Sequence, residues 1–116
     1  MITIYHNPRC RKSRETLKLI EESGQPFKIV EYLKHPLSAD QLREMLSLLD
    51  MPAEGLIRKN EAIWKEQYRG RDLSEPDLLK AMEEHPKLME RPLVVKGKEA
   101  VLGRPPENVL ALLKQG

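Results

Sequence analysis

Cys10 is the only cysteine in this 116-residue chain. A single thiol rules out an internal disulfide and a zinc site built from several thiolates, and it suits a reducing cytoplasm. Charge of one sign is also scarce. Charged residues make up 33% of the chain, yet the formal net charge is only +2. A general nucleic-acid binder would show a broad basic face, so no nucleic-acid partner is expected. No apolar run approaches the length of a membrane span, and the N-terminus lacks a signal-peptide pattern, so neither anchoring nor export is expected. Internal repeats and low-complexity tracts are missing too. The length suits one domain with its own core, spanning residues 1–116. Nothing in the composition calls for an obligate interface, so a monomer is expected.

What is present is concentrated in His6-Asn7-Pro8-Arg9-Cys10-Arg11-Lys12-Ser13-Arg14. The cysteine stands among four cationic side chains, between an apolar stretch (Ile2, Ile4, Tyr5) and a segment with helical spacing (Thr16, Leu17, Ile20, Glu21). Charged neighbours resist desolvation, so this cysteine is a poor candidate for inert burial. The thiolate is the nucleophilic form, and both cations and a helix N-terminus stabilise it. The free N–H groups of such a terminus also favour a bound oxyanion. Two rival anion loops fail on spacing. A Cys-x5-Arg phosphatase loop would need arginine where Thr16 stands, and a phosphate-cradling P-loop would need glycines that this stretch lacks.

Taken in order, Met1–Tyr5 reads as a strand, Arg11–Ser23 as a helix closed by Gly24, and Phe27–Tyr32 as a second strand. That is the length of a parallel strand–helix–strand crossover, and it places Cys10 at the C-terminal edge of the first strand. A helical block follows over about residues 38–86. Ser38 to Gln41 suggests a capping box ahead of Leu42, Met45, Leu46 and Leu49. A break at Met51-Pro52 precedes Leu56 and Ile57. Ile63, Trp64 and Tyr68 then form an amphipathic segment, and Ser74 to Asp77 cap a helix carrying Leu78, Leu79 and Met82. Pro92–Val95 and Glu99–Leu102, split by Lys96-Gly97-Lys98, read as a hairpin. Pro105-Pro106 launches a last helix expected to bury Val109, Leu110, Leu112 and Leu113. The simplest architecture for this order is a mixed sheet with helices on its faces.

These motifs resemble the glutaredoxin-linked arsenate reductases, a family with a thioredoxin/glutaredoxin-like fold, and in particular its short-chain branch. The likeness runs through His6-Asn7-Pro8-Arg9-Cys10, Ser13-Arg14, Leu56-Ile57-Arg58-Lys59-Asn60, Glu90-Arg91-Pro92-Leu93-Val94-Val95 and Gly103-Arg104-Pro105. It implies a mixed sheet with helices on both faces and a helical insertion between strands two and three. It also implies a mechanism in which the Cys10 thiolate attacks arsenate to give a thiol-linked arsenic(V) adduct. Glutathione attacks next, glutaredoxin resolves the mixed disulfide, and arsenite departs. By position Arg58, Arg91 and Arg104 match the family's oxyanion-binding arginines, a task suited to the planar, permanently charged guanidinium. The resemblance also places Pro92 in the cis-proline position of glutaredoxin-like folds, and His6 beside the nucleophile. Asn7, Arg9, Arg11 and Ser13 are expected to support the loop, with the Ser13 hydroxyl a candidate donor to the thiolate. No metal or bound cofactor is implied, and glutathione serves as an external reductant. Two other readings stay open: a monothiol glutathione-dependent thiol-transferase, and a non-enzymatic relative of a transcription regulator. Cys10-Arg11-Lys12-Ser13 lacks the Cys-x-x-Cys switch that the regulator uses.

Overall fold

The computed structural model describes residues 1–114, which divide into two compact units. The first comprises residues 1–35 and the chain from Arg91 onward; the second comprises residues 36–90.

The first unit is built on a four-stranded mixed sheet. Its strands are β1 (Ile2–His6), β2 (Phe27–Glu31), β3 (Leu93–Lys96) and β4 (Glu99–Leu102), in the order β2-β1-β3-β4. β1 runs parallel to β2 with Ile4 opposite Ile29, and antiparallel to β3 with Ile4 opposite Val94. Helix α1 (Arg11–Glu22) makes the crossover between the parallel pair. Gly24, at φ 74°, turns the chain out of α1 in the left-handed region that only glycine enters freely. The β3–β4 hairpin closes over Gly97-Lys98, with Gly97 at φ 61° as a two-residue loop requires. Lys96, expected in the turn, belongs to β3 and pairs with Glu99.

Alternation along β1 buries Ile2, Ile4 and His6. The two isoleucines pack with Ile20, Val94, Val109 and Leu112 in one core cluster. Each such aliphatic side chain contributes roughly 1.5–3 kcal/mol on burial. The inward face of α1 is Ser13, Thr16 and Ile20, two of them polar, while Glu21 is exposed. After Pro105 the chain forms a 3-10 turn (Pro106–Val109) and then the short helix α5 (Leu110–Leu113). Val109 and Leu112 are buried there as expected, but Leu110 is 38% exposed. The 3-10 turn advances the chain by about three residues per turn rather than 3.6, so the buried face moves off Leu110.

The second unit is helical, with α2 (Ala39–Leu49), α3 (Ala62–Gln67) and α4 (Glu75–Glu84) joined by 3-10 turns at Ala53–Leu56 and Pro86–Leu88. Both expected N-termini are closed by complete capping boxes, Ser38 with Gln41 and Ser74 with Asp77. α2 and α4 pack together, burying Leu42, Met45, Leu46, Leu78, Leu79 and Met82. Two carboxylates add polar ties: Glu83 accepts the Ala39 N–H at 2.8 Å, and Glu75 accepts the Ala53 N–H at 2.8 Å. A single antiparallel bridge, Ile57 to Met89, holds the segment that carries Arg58. No helix among the described residues is long and apolar enough to cross a membrane.

Candidate active site

The loop after β1 is set by its own backbone. Asn7 Oδ1 accepts the Arg9 N–H at 3.0 Å, and the Asn7 carbonyl accepts the Cys10 N–H at 3.0 Å. This Asx-type turn delivers Cys10 in extended geometry (φ −93°, ψ 122°) as the N-cap of α1, its carbonyl accepting the Arg14 N–H at 3.0 Å. The first turn of α1 contains no acid. Arg11, Lys12 and Arg14 crowd the positive end of the helix dipole instead, an arrangement that costs helix stability and raises the potential for an anion. Two of these cations are nonetheless occupied: Arg11 Nε pairs with Glu15 at 2.9 Å, and Arg14 Nη1 donates to the Pro8 carbonyl at 3.0 Å.

The half-buried Cys10 sulfur lies among donors. The neutral thiol closes no capping hydrogen bond. Partial burial by itself raises its pKa, but hydrogen bonding of the thiolate to the Ser13 backbone N–H and the Arg91 side chain opposes this. The Arg91 charge and the Lys12 N–H add to that pull, and the balance lowers the pKa below that of a free thiol. The charge that pulls the thiol pKa down therefore belongs to Arg91, in the segment before β3, rather than to the arginines that flank the cysteine in sequence.

Ser13 is fully buried, and its hydroxyl does something other than cap the sulfur. It accepts the Asn7 N–H at 3.0 Å and lies 2.6 Å from His6 Nδ1. The Ser13 hydroxyl, with one proton and two lone pairs, thus serves the Asn7 N–H and the His6 ring together. Burial pushes the His6 pKa down, with Arg14 adding to the effect and Glu31 and Glu21 opposing it. A neutral imidazole thus ties the end of β1 to the first turn of α1. The Ser13 hydroxyl expected to meet the thiolate is thus engaged by His6 and Asn7, and the Ser13 group that favours the thiolate is its main-chain N–H.

Arg91 and Pro92 enter from the segment before β3, joined by a cis peptide, as are Arg104 and Pro105. Arg104 Nη1 donates to the Arg91 carbonyl at 3.3 Å, and the Gly103 N–H donates to the Pro92 carbonyl at 2.9 Å. Gly103 is there for space: a Cβ would lie 2.7 Å from Thr16 Oγ1 and 2.8 Å from Pro92 Cγ. Arg91 Nε is buried and has no hydrogen-bond partner among the described residues.

The first unit therefore contains Cys10, His6, Asn7, Arg9, Arg11, Ser13, Arg91, Pro92 and Arg104. Arg58 belongs to the second unit, where its N–H donates to the Leu88 carbonyl at 2.7 Å. Its Nε stands 3.5 Å from Glu61 and 3.7 Å from Glu90. Sequence reasoning missed Thr16 and Gly103 as the pair that seats Pro92 against α1. A glycine between a strand and a Pro-rich turn was the available signal. No group of three or more His, Cys, Asp or Glu side chains that could hold a metal ion occurs among the described residues.

The ArsC family model matches residues 5–112. The chain is 48% identical over 114 residues to the protein YfgD of Escherichia coli K12, covering 97% of this chain and 96% of that one. It is 42% identical over 115 residues to an arsenate reductase of Haemophilus influenzae, covering 97% and 98%. Its structure superposes on that of an arsenate reductase from Vibrio cholerae with a TM-score of 0.91 at 43% identity, over 95% of each chain.

Proposed function

This chain belongs to the ArsC family, and we propose that it reduces arsenate to arsenite with Cys10 as nucleophile, glutathione as reductant and glutaredoxin as the protein that restores the thiol. The observation that supports this most is the setting of Cys10. Its thiolate is favoured by two helix N–H groups and by Arg91, whose buried Nε is a donor left over for an oxyanion oxygen. Relatives named arsenate reductase, similar along nearly the full chain, support the choice of oxyanion.

In the first step the Cys10 thiolate forms a bond to arsenic(V), and an arsenate oxygen leaves as hydroxide or, once protonated, as water. Arg91 and Arg104 neutralise charge on the remaining oxygens, and Arg58 is assigned to the same task by its place in the family pattern. The glutathione thiolate then attacks the Cys10 sulfur. The sulfur–arsenic bond breaks with its electron pair passing to arsenic, which becomes arsenic(III) and departs as arsenite. The Cys10–glutathione disulfide left behind is opened by a glutaredoxin thiolate attacking the glutathione sulfur, which releases the Cys10 thiolate. External thiols are required because the chain has no second cysteine to attack Cys10. Such chemistry belongs in a reducing compartment, the cytoplasm.

Arsenate-dependent NADPH oxidation in the presence of glutathione, glutaredoxin and glutathione reductase tests this reading. Wild type is expected to turn over and Cys10→Ser to show no rate above background. A wild-type protein that reduces glutathionylated disulfides but gives no arsenate-dependent rate would be a thiol-transferase instead.

A further inference from the structure

Beside the nucleophile loop lies a cleft of about 360 Å³ that the steps above do not use. One wall is loop residues 6–9; the other is Glu31, Leu33 and Lys34, at the end of β2 and in the turn after it. That turn is held by the Glu31 carbonyl, which accepts the N–H groups of Lys34 at 3.0 Å and His35 at 2.9 Å. The volume falls within the roughly 300–1,000 Å³ of small-molecule sites.

The cleft is lined by charges of both signs. Arg9, next to Cys10 in the chain, lines the cleft, and its guanidinium makes no ion pair among the described residues. Lys34 and Glu31 form a loose exposed pair at 3.6 Å. Leu33, at 40% exposure, is one of few large apolar side chains on the surface. The cleft's lining therefore combines an isolated cation, an exposed apolar side chain, and a cation and an anion side by side.

We propose that this cleft binds glutathione, a refinement that rests on the arsenate-reductase reading. The γ-glutamyl end of glutathione carries an α-carboxylate and an α-ammonium on one carbon, which matches Lys34 with Glu31. The glycine carboxylate matches Arg9. An extended tripeptide spans about 10 Å at 3.3–3.6 Å per residue, and Arg9 adjoins Cys10 in the chain, so a tripeptide held by Arg9 is anchored next to the nucleophile in sequence. The Lys34–Glu31 pair is exposed, and its rearrangement around the ligand costs little. Arsenate, by contrast, is a single compact anion and has no use for Glu31 or Leu33.

S-methylglutathione cannot attack the adduct and serves as the binding probe. Titrated into the 15N-labelled protein, it is expected to shift the amides of Asn7, Arg9 and residues 31–34. Lys34→Glu is expected to weaken that binding about fivefold, the effect of one exposed charge contact. In the coupled assay Lys34→Glu raises KM for glutathione about fivefold while KM for arsenate stays within about twofold. Shifts located elsewhere, no shifts at all, or equal changes in both KM values would overturn the assignment. So would a titration in which reduced glutaredoxin, but not S-methylglutathione, perturbs these amides. A protein that binds the probe in the cleft yet never reduces arsenate would keep the site and sink the arsenate reading; arsenate turnover without probe binding there would do the reverse.

Discussion

Arg91 and Arg58 each bury a guanidinium Nε that finds no hydrogen-bond acceptor among the described residues, yet they keep opposite company. In the helical unit Arg58 stands between the carboxylates of Glu61 and Glu90, at 3.5 and 3.7 Å, too far for good hydrogen bonds but close enough for strong attraction. In the sheet unit Arg91 faces a sulfur. A carboxylate is ionised at neutral pH whether or not an arginine is near, so there the cation balances a charge that already exists. A thiol is mostly neutral at that pH, so beside Cys10 the same cation helps create the charge. The same side chain thus balances an existing charge in one setting and helps create one in the other.

The largest break in this comparison is expected from Arg91→Ala. It removes both a donor and the positive charge at the sulfur, and kcat/KM for arsenate should fall about a hundredfold or more in steady-state assays. Arg91→Lys should recover only part of the loss, because an ammonium cannot donate through the guanidinium fork. Arg58→Ala is expected to cost less, about tenfold in the same assay. It should leave the pH profile of Cys10 alkylation where it is, since none of the groups that lower the thiol pKa belongs to the helical unit.

Gly103→Ala probes the packing behind Arg91. The added methyl must displace Thr16 or Pro92, and overpacking of this kind costs about 1–3 kcal/mol, readable as a lower urea midpoint. Adding Thr16→Ala should return part of that loss, which a double-mutant cycle would detect as coupling. The smallest effect is expected from His6. Its folded pKa lies below the unfolded value, so the folded state prefers the neutral ring. The stability this contributes is complete above about pH 6.5 and drains away as pH falls through the lower folded pKa, because the unfolded chain takes up the proton first. His6→Asn should flatten the dependence of the urea midpoint between pH 7.5 and 5.5.

Much of this architecture is legible in the sequence because it is specified locally. The capping boxes at Ser38 and Ser74, the helix stop at Gly24, the Gly97 hairpin and the alternation in β1 each depend on residues a few positions apart. The place of Cys10 at the start of α1 is local in the same way. What escapes is set by tertiary contacts. The flanking cations look like the activators, but Arg11 turns to Glu15 and Arg14 to Pro8, while the distant Arg91 meets the sulfur. Ser13 reads as a thiolate donor, yet its hydroxyl is taken by His6 and Asn7. Leu110 looks like core by spacing and is exposed because a 3-10 turn precedes it. Gly103 shows its purpose only once Thr16 and Pro92 are seen on either side.

The rate of Cys10 alkylation by iodoacetamide as a function of pH, in wild type and Arg91→Ala, tests the activation of the thiol most directly. Wild type should show a midpoint clearly below the free-cysteine value of about 8.5, and Arg91→Ala a midpoint shifted upward. Coincident midpoints at or above that value would contradict the account, because Cys10 would then be an ordinary thiol and Arg91 merely its neighbour.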